Sequence, residues 1–263
     1  MRPAVIAGLC VALAGGGACA PKVLARPSGA GVPAPDAPAA WAEATTSCRG
    51  VETGAPTIEL AGGRIDGEGV PGLTVLGGLT VRNEIRLSAT YRGQSFFTLS
   101  GTLDRALLEL PAFRDAPREH VIARADEIIA VLIGLRIQPV DLLRLITGCV
   151  AAGEPAIDAA RHGSLVAIRT KDAKIYLEQR SGRWRMTMAD LAGLQADYRA
   201  WSGDWPADIV LSSVPVATAT VRLRVRDQLI NSPDLLPAAF VVRIPSGSRE
   251  ITLDDLRRRL GRG

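Results

Sequence analysis

Residues 125–149 read ADEIIAVLIGLRIQPVDLLRLITGC, and the fold turns on this stretch. It divides into two short helices joined at 134–138. Pro139 stands where the first turn of a helix tolerates proline, and Gly148 stands where helices commonly stop. Ile128, Ile129, Val131, Leu132, Ile133 and Leu135 make the first helix apolar on almost every side. Such a helix must be covered all round, yet it is too short to cross a bilayer, which needs roughly 20 apolar residues. Something else in the chain wraps it. Most of the remaining sequence alternates as sheet does, so the expected wrapper is a curved sheet closed over a helical hairpin.

Before the hairpin, strand patterns run through 57–65, 73–80, 84–91 and 94–100, with shorter ones at 106–110 and 120–123. Arg92-Gly93 marks a tight turn between the third and fourth. After a polar segment at 151–163, alternation resumes at 165–169, 174–178, 183–188, 194–201 and 209–212. In 220–226, Val221, Leu223 and Val225 face one way and Arg222, Arg224 and Arg226 the other, as in antiparallel sheet with one wet face. A last strand is expected at 238–244 and a short terminal helix at 251–260. The expected sheet has about eleven strands, the shortest of these segments counting least, enough for an open sheet to curl. The expected fold class is α+β: an incomplete, half-open antiparallel β-barrel with the helical hairpin plugging its concave face.

The N-terminus reads as an export signal. In Met1–Ala18, Arg2 precedes an apolar run and then small residues. Cleavage after Ala20 would leave Pro21 directly behind the cut, which is unfavourable. Cleavage before Cys19, with lipidation of that cysteine, fits Gly17-Ala18-Cys19 better, and plain secretion is the alternative. Residues 19–38, rich in proline, alanine and glycine, read as a disordered linker, and 39–263 as the binding domain, beginning with a short helix at 39–48 that carries Trp41. Export into an oxidising compartment leaves Cys48 and Cys149 as an even pair. A disulfide between them closes a loop of about 100 residues, for which chain entropy gives up to about 4.7 kcal/mol. Two buried free thiols are the other reading.

The formal charge of +4 falls by one when the signal leaves with Arg2. The remaining arginines alternate along strands instead of clustering, so no nucleic-acid footprint is read. Gly67-Glu68-Gly69-Val70-Pro71-Gly72 fits G-x-G-x-x-G, but no helix begins there to meet a pyrophosphate, and it reads as a hairpin loop. His120, in a strand, and His162, in a loop, have no second ligand at usable spacing, so no metal is expected. Ser164 beside His162 lacks the G-x-S-x-G elbow. Asp126-Glu127 and Asp254-Asp255 read as helix starts, where acids favour the macrodipole. No cofactor and no enzymatic chemistry are expected. Trp201 and Trp205 flank one turn and read as a cross-strand pair or as a rim at a membrane interface. Arg257-Arg258-Arg259 reads as a solvated helix face or as a site for anionic headgroups.

The order of antiparallel strands, then ADEIIAVLIGLRIQPVDLLRLITGC, then more strands, resembles the LolA/LolB-like lipoprotein-localisation superfamily, and more closely its LolB side. The terminal NSPDLLPAAFVVRIPSGSREITLDDLRR is similar to the tail of lipoproteins of this type. The resemblance implies a helical plug in an incomplete barrel that holds acyl chains. It also implies a loop between two early strands that projects a leucine. The matching turn here, Thr90-Tyr91-Arg92-Gly93, has no leucine and offers Tyr91 instead. An apolar concavity suits acyl chains, and its expected lining is Ile85, Leu87, Phe96, Trp184, Met186, Met188, Tyr198, Leu223 and Val225, with Ile128, Leu132 and Ile146 from the hairpin. Met186 and Met188 suit an adaptable pocket.

The resulting expectation is a monomeric, lipid-anchored carrier at the outer membrane, facing the periplasm, whose partners are lipids or lipoprotein acyl chains. The alternative is a structural or adaptor lipoprotein with a packed interior and no lipid ligand.

Overall fold

The computed structural model describes residues 21–65, 68–69, 72–112, 117–214 and 219–260. The signal, Cys19 and, in the G-x-G-x-x-G stretch, Gly67, Val70 and Pro71 lie outside the described residues. In chain order the elements are β1 (Val32–Pro33), α1 (Ala37–Ala44), a 3-10 turn (Thr46–Cys48), β2 (Thr53–Ile65), β3 (Glu68–Gly69), β4 (Leu73–Thr80), β5 (Glu84–Tyr91), β6 (Gln94–Thr102), β7 (Ala106–Leu110) and β8 (Glu119–Ala123). Then follow α2 (Ala125–Ile133), α3 (Pro139–Thr147), β9 (Asp158–His162), β10 (Leu165–Arg169), β11 (Ala173–Arg180), β12 (Arg183–Leu191), β13 (Leu194–Ser202), β14 (Trp205–Ser213) and β15 (Ala219–Ile230). The chain finishes with a 3-10 turn (Pro237–Phe240), β16 (Arg249–Glu250) and α4 (Leu253–Arg259). None of the helices among the described residues is long and apolar enough to cross a membrane.

All the described strands belong to one sheet, ordered β1-β9-β10-β11-β12-β13-β14-β15-β2-β4-β5-β6-β7-β8-β16, with β3 hung on β2. It consists of two meanders, β2–β8 and β9–β15, joined where the long strands β15 and β2 pair antiparallel from Ala219↔Ile65 to Ile230↔Gly54. The two outermost strands do not pair with each other, so the barrel stays open. The chain leaves β8 near one edge and re-enters at β9 near the other, and α2 and α3 span the interval. That path lays the hairpin across the concave face, as its all-round apolarity requires.

Local chemistry sets the hairpin's bounds. Asp126 and Glu127 lie in the first turn of α2, and Gly134 ends it at φ 73°. Pro139 opens α3, and Gly148 ends it at φ 68°. A Cβ on Gly148 would lie 2.8 Å from the Trp201 ring, so both the backbone angle and the space demand glycine there. Asn83, at the β4–β5 turn, accepts from the first free amide of α3, Val140 N–H, at 3.1 Å and fixes where that helix docks. Arg92 and Gly93 both take positive φ, 51° and 78°, as a two-residue hairpin requires.

Each terminus crosses the outer face of one half and then seals an edge. Leu24 N–H donates to Asp197 at 2.6 Å, and Arg26 bridges Asp190 and Asp197 on the back of β12 and β13. The chain then pairs β1 with β9. The stretch expected to be a disordered linker is thus, from residue 21, clipped to the sheet. At the other end, the chain passes over Gly78, where a Cβ would meet Leu235 at 2.5 Å, accepts from Arg86 through Ala239 O, and pairs β16 parallel to β8.

Several expectations need correction. The described strands number sixteen: β1, β3 and β16 have two residues each, too few to show alternation, and β9, DAARH, carries no large apolar residue to mark a buried face. Residues 238–244 form no strand: Pro237 starts a 3-10 turn, and the segment lies across the outer face instead of along an edge, with Val241 and Ile244 about half exposed. His162 belongs to β9, not to a loop. Trp201 stands opposite Pro206, and Trp205 opposite Ser202, so the two indoles are not cross-strand partners. Trp201 instead packs on Tyr198 at 5.8 Å, under the Arg185 guanidinium at 5.0 Å.

Candidate functional site

The concave face carries its open space in one half. A hollow of about 100 Å³ lies between α2 and the strands β2, β4, β5 and β6. Ile58, Leu60, Leu73, Val75 and Leu87 form its floor, with Phe96 and Phe97 at one end. Ile129, Leu132 and Ile133 of α2 roof it, Leu142 of α3 and Leu211 and Leu223 of the second meander close the far side, and Leu260 plugs the mouth. No lining side chain is polar. A second hollow of about 420 Å³ continues outward, bounded by Tyr91, Leu110, Pro111, Pro117 and Leu256. The two share Phe96, Phe97, Leu132 and Leu260 as a common wall.

Both phenylalanines reach the hollow although neighbours on a strand should face opposite ways. Ala89 pairs with Phe97 and Thr90 with Ser95, which leaves Phe96 as an extra residue in β6. This bulge turns its ring toward the mouth.

Of the expected lining, Leu87, Phe96, Leu132 and Leu223 border the inner hollow, and Tyr91 borders the outer one beneath the Arg92 guanidinium, 5.2 Å from its ring. The others do not. Ile85, Ile128, Ile146, Met186, Tyr198 and Val225 are buried in the packed core. Trp184 packs at its margin, its N–H donating to Glu43 of α1 at 3.0 Å. Met188 lies on the outer face with Tyr176 and Ala167. The reason is again a bulge. Met186 stands opposite Leu177 and Met188 opposite Tyr176, so Thr187 is unpaired and the strand changes faces between two methionines that alternation puts on one side. Sequence reading did not assign the rest of the lining to a hollow: Ile58, Leu60, Leu73, Val75, Phe97 and Leu211 from the sheet, and Ile129, Ile133, Leu142 and Leu260 from the helical segments. The period-2 pattern of Leu73 and Val75 was visible, but nothing in it distinguishes a hollow from a core.

The second half is filled. Tyr198 lies under α3 and donates to Leu145 O at 3.0 Å, and burial holds its phenol well above the usual range. Cys48 and Cys149 are disulfide-bonded, with Cα atoms 5.5 Å apart, joining the turn after α1 to the end of α3.

Charges sit at the ends of the hairpin. Burial pushes the Asp126 carboxyl up, but the Arg136 hydrogen bond at 2.8 Å and the attraction of Arg136 and Arg124 outweigh it, and the net shift is downward. Asp141 shows the reverse: burial dominates, Arg144 at 3.3 Å compensates only in part, and the carboxyl titrates above its usual value. At the mouth, buried Glu119 accepts from both Arg249 and Arg259. Asp254 and Asp255 do begin α4, where Thr252 and Asp255 form a reciprocal cap. Arg257 and Arg258 pair with those two acids within the helix, and Arg259 turns to Glu119. Among the described residues, no group of three or more His, Cys, Asp or Glu is placed to hold a metal ion.

An open antiparallel sheet whose concave face is plugged by a two-helix crossover defines a half-barrel fold. In fold it is similar to a solved LolA superfamily protein. The LolA superfamily protein NE2245 from Nitrosomonas europaea matches over 78% of this chain and 97% of its own, with a TM-score of 0.51 and 8% identity. A DUF1329 family protein from Desulfovibrio piger (TM-score 0.42, 9% identity, 78% of this chain and 96% of its own) and the Mycobacterium tuberculosis lipoprotein LppX (0.31, 13%, 74% and 97%) are more distant and carry no weight here. No family model matches the chain, and no curated protein sequence matches it.

Proposed function

We propose that this protein is a carrier that takes an acyl chain of a lipid or lipoprotein between α2 and the β2–β6 strands, without covalent chemistry. The observation behind this reading is the inner hollow, which is lined by apolar side chains alone and opens into a larger one. Burying hydrocarbon there gains about 0.8 kcal/mol per methylene, with no buried polar group to satisfy. About 100 Å³ is less than the roughly 150 Å³ of an engineered cavity that takes up benzene. A long chain therefore enters only as Leu132 and Leu260 move aside.

The export signal and Cys19 read from the sequence support a carrier in the cell envelope, and in this reading a lipid on Cys19 anchors it at the outer membrane, facing the periplasm. The LolB-like reading is narrower: transfer of lipoproteins into that membrane, with Tyr91 in the place of a projecting leucine. The small inner volume and the filled second half favour a second reading, an adaptor lipoprotein acting through protein contacts.

Native mass spectrometry of the purified protein, followed by lipid extraction, separates the two. The carrier reading expects stoichiometric lipid and its loss in Leu132→Trp, which fills the hollow. An empty protein that also refuses a fluorescent fatty acid overturns it.

A further inference from the structure

The outer hollow is apolar on one side and basic at one end. Phe96, Phe97, Leu110, Leu132 and Leu256 form the greasy wall, and Arg259 and Glu119 form the end. Glu119 is 3% exposed and is the shared partner of two guanidinium groups. Arg259 donates to it from α4 at 2.9 Å, and Arg249 from β16 at 3.1 Å. Of these two arginines, Arg259 lines the hollow. Two cations on one carboxylate leave a surplus positive charge among the described residues at the mouth. Because Arg249 remains to hold Glu119, Arg259 can turn to another anion without stranding a buried charge.

We propose that the ligand is an amphiphile with an anionic head, whose acyl chain runs inward past Phe96, Leu132 and Leu260 while its carboxylate or phosphate is taken by Arg259. This rests on the carrier reading and narrows it to a chemical class. The fork of the guanidinium matches a carboxylate or phosphate with two parallel hydrogen bonds. Gln94, Ser95 and Tyr91 on the same rim supply neutral polar groups for the rest of the head. The Arg259–Glu119 pair then acts as the closed-state substitute for the ligand: it holds α4, and with it Leu260, over the mouth until the anionic head competes for Arg259.

The test compares a pyrene-labelled fatty acid with its methyl ester, which has the same chain and no charge, by fluorescence titration of the purified protein. The acid is expected to bind about tenfold more tightly than the ester, a difference of about 1.4 kcal/mol. Arg259→Gln is expected to bring that ratio close to one and Arg259→Lys, which keeps the charge and loses the fork, to retain part of it. Arg257→Gln should leave the ratio as it is, because Arg257 lines a separate polar cleft with Glu127 and Arg136. Equal binding of acid and ester by the unaltered protein overturns the head-group assignment and leaves the carrier reading standing. Failure of both probes to bind overturns both. Should Arg259→Gln not fold, the acid-to-ester ratio of the unaltered protein and of Arg259→Lys still decides.

Discussion

The β2–β8 meander and the β9–β15 meander are built alike, yet one shelters a hollow and the other is filled. Over β2–β6 the roof is α2, whose Leu132 and Ile133 are only partly buried. Helix α3 bridges the two halves, lying over β4, β2 and β5 as well as over β14; at its β13–β14 end Leu145 and Ile146 of the helix and Tyr198 of β13 are essentially inaccessible. The difference lies in what fills the gap. Tyr198 is long enough to span from sheet to helix, and its hydroxyl satisfies a carbonyl near the end of α3, so the contact is closed by a hydrogen bond. The β2–β6 half faces α2 with leucine, isoleucine, valine and phenylalanine, which gain from any apolar neighbour and demand none in particular. On the carrier reading, a wall that accepts a lipid chain in place of α2 has to be made this way. The disulfide ties the turn after α1 to the end of α3 beside the filled half.

That contrast can be broken or sharpened by measurement. The largest effect is expected from removing the disulfide. Cys48→Ser with Cys149→Ser should lower the unfolding free energy by up to about 4.7 kcal/mol in urea titration, with less effect on lipid binding. Next comes Arg26→Ala, which leaves Asp197 buried without its main cation on the back of the filled half. A loss of about 3 kcal/mol is expected by the same measurement. Truncation in the two roofs should then differ. Leu145→Ala should cost about 3 kcal/mol because nothing can collapse onto it, and Leu132→Ala about half of that while raising lipid capacity. Equal costs would mean that the two halves are packed alike.

The smallest effects are electrostatic and opposite in the two helices. The Asp126 carboxyl is held below the ordinary aspartate value of 3.8. Its contribution to stability is therefore present above that pH and lost as pH falls through the lower folded value. The Asp141 carboxyl is raised. Its contribution is present in full below pH 3.8 and is lost as pH rises through the higher folded value. Asp126→Asn should consequently destabilise the protein at neutral pH and cease to matter in acid. Asp141→Asn should stabilise it at neutral pH, with the gain vanishing in acid. Thermal melts across this range check both signs.

Much of the fold was legible because its signals are local. Gly134, Pro139 and Gly148 bound the hairpin, Arg92-Gly93 sets a hairpin turn, and the alternation through β5 and β15 names their buried faces. The site was less legible. Leu87 and Leu223 were placed correctly by alternation, but Met188 was carried to the outer face by the unpaired Thr187, and Phe97 was brought in beside Phe96 by the bulge in β6. A bulge changes the parity of everything beyond it and leaves little mark in the sequence. Residues 238–244 alternate like a strand, but Pro237 and a path across the sheet leave them no edge to pair with.

From the amino-acid order alone it followed that α2, apolar on almost every side and too short for a bilayer, had to be enclosed by the rest of the chain, most of which alternates as sheet does. Where room remained was settled by the folded packing. Whether two apolar surfaces meet fully or leave a gap depends on the lengths of side chains from strands far apart in the chain and on bulge positions, and these distances exist only once the sheet has curled.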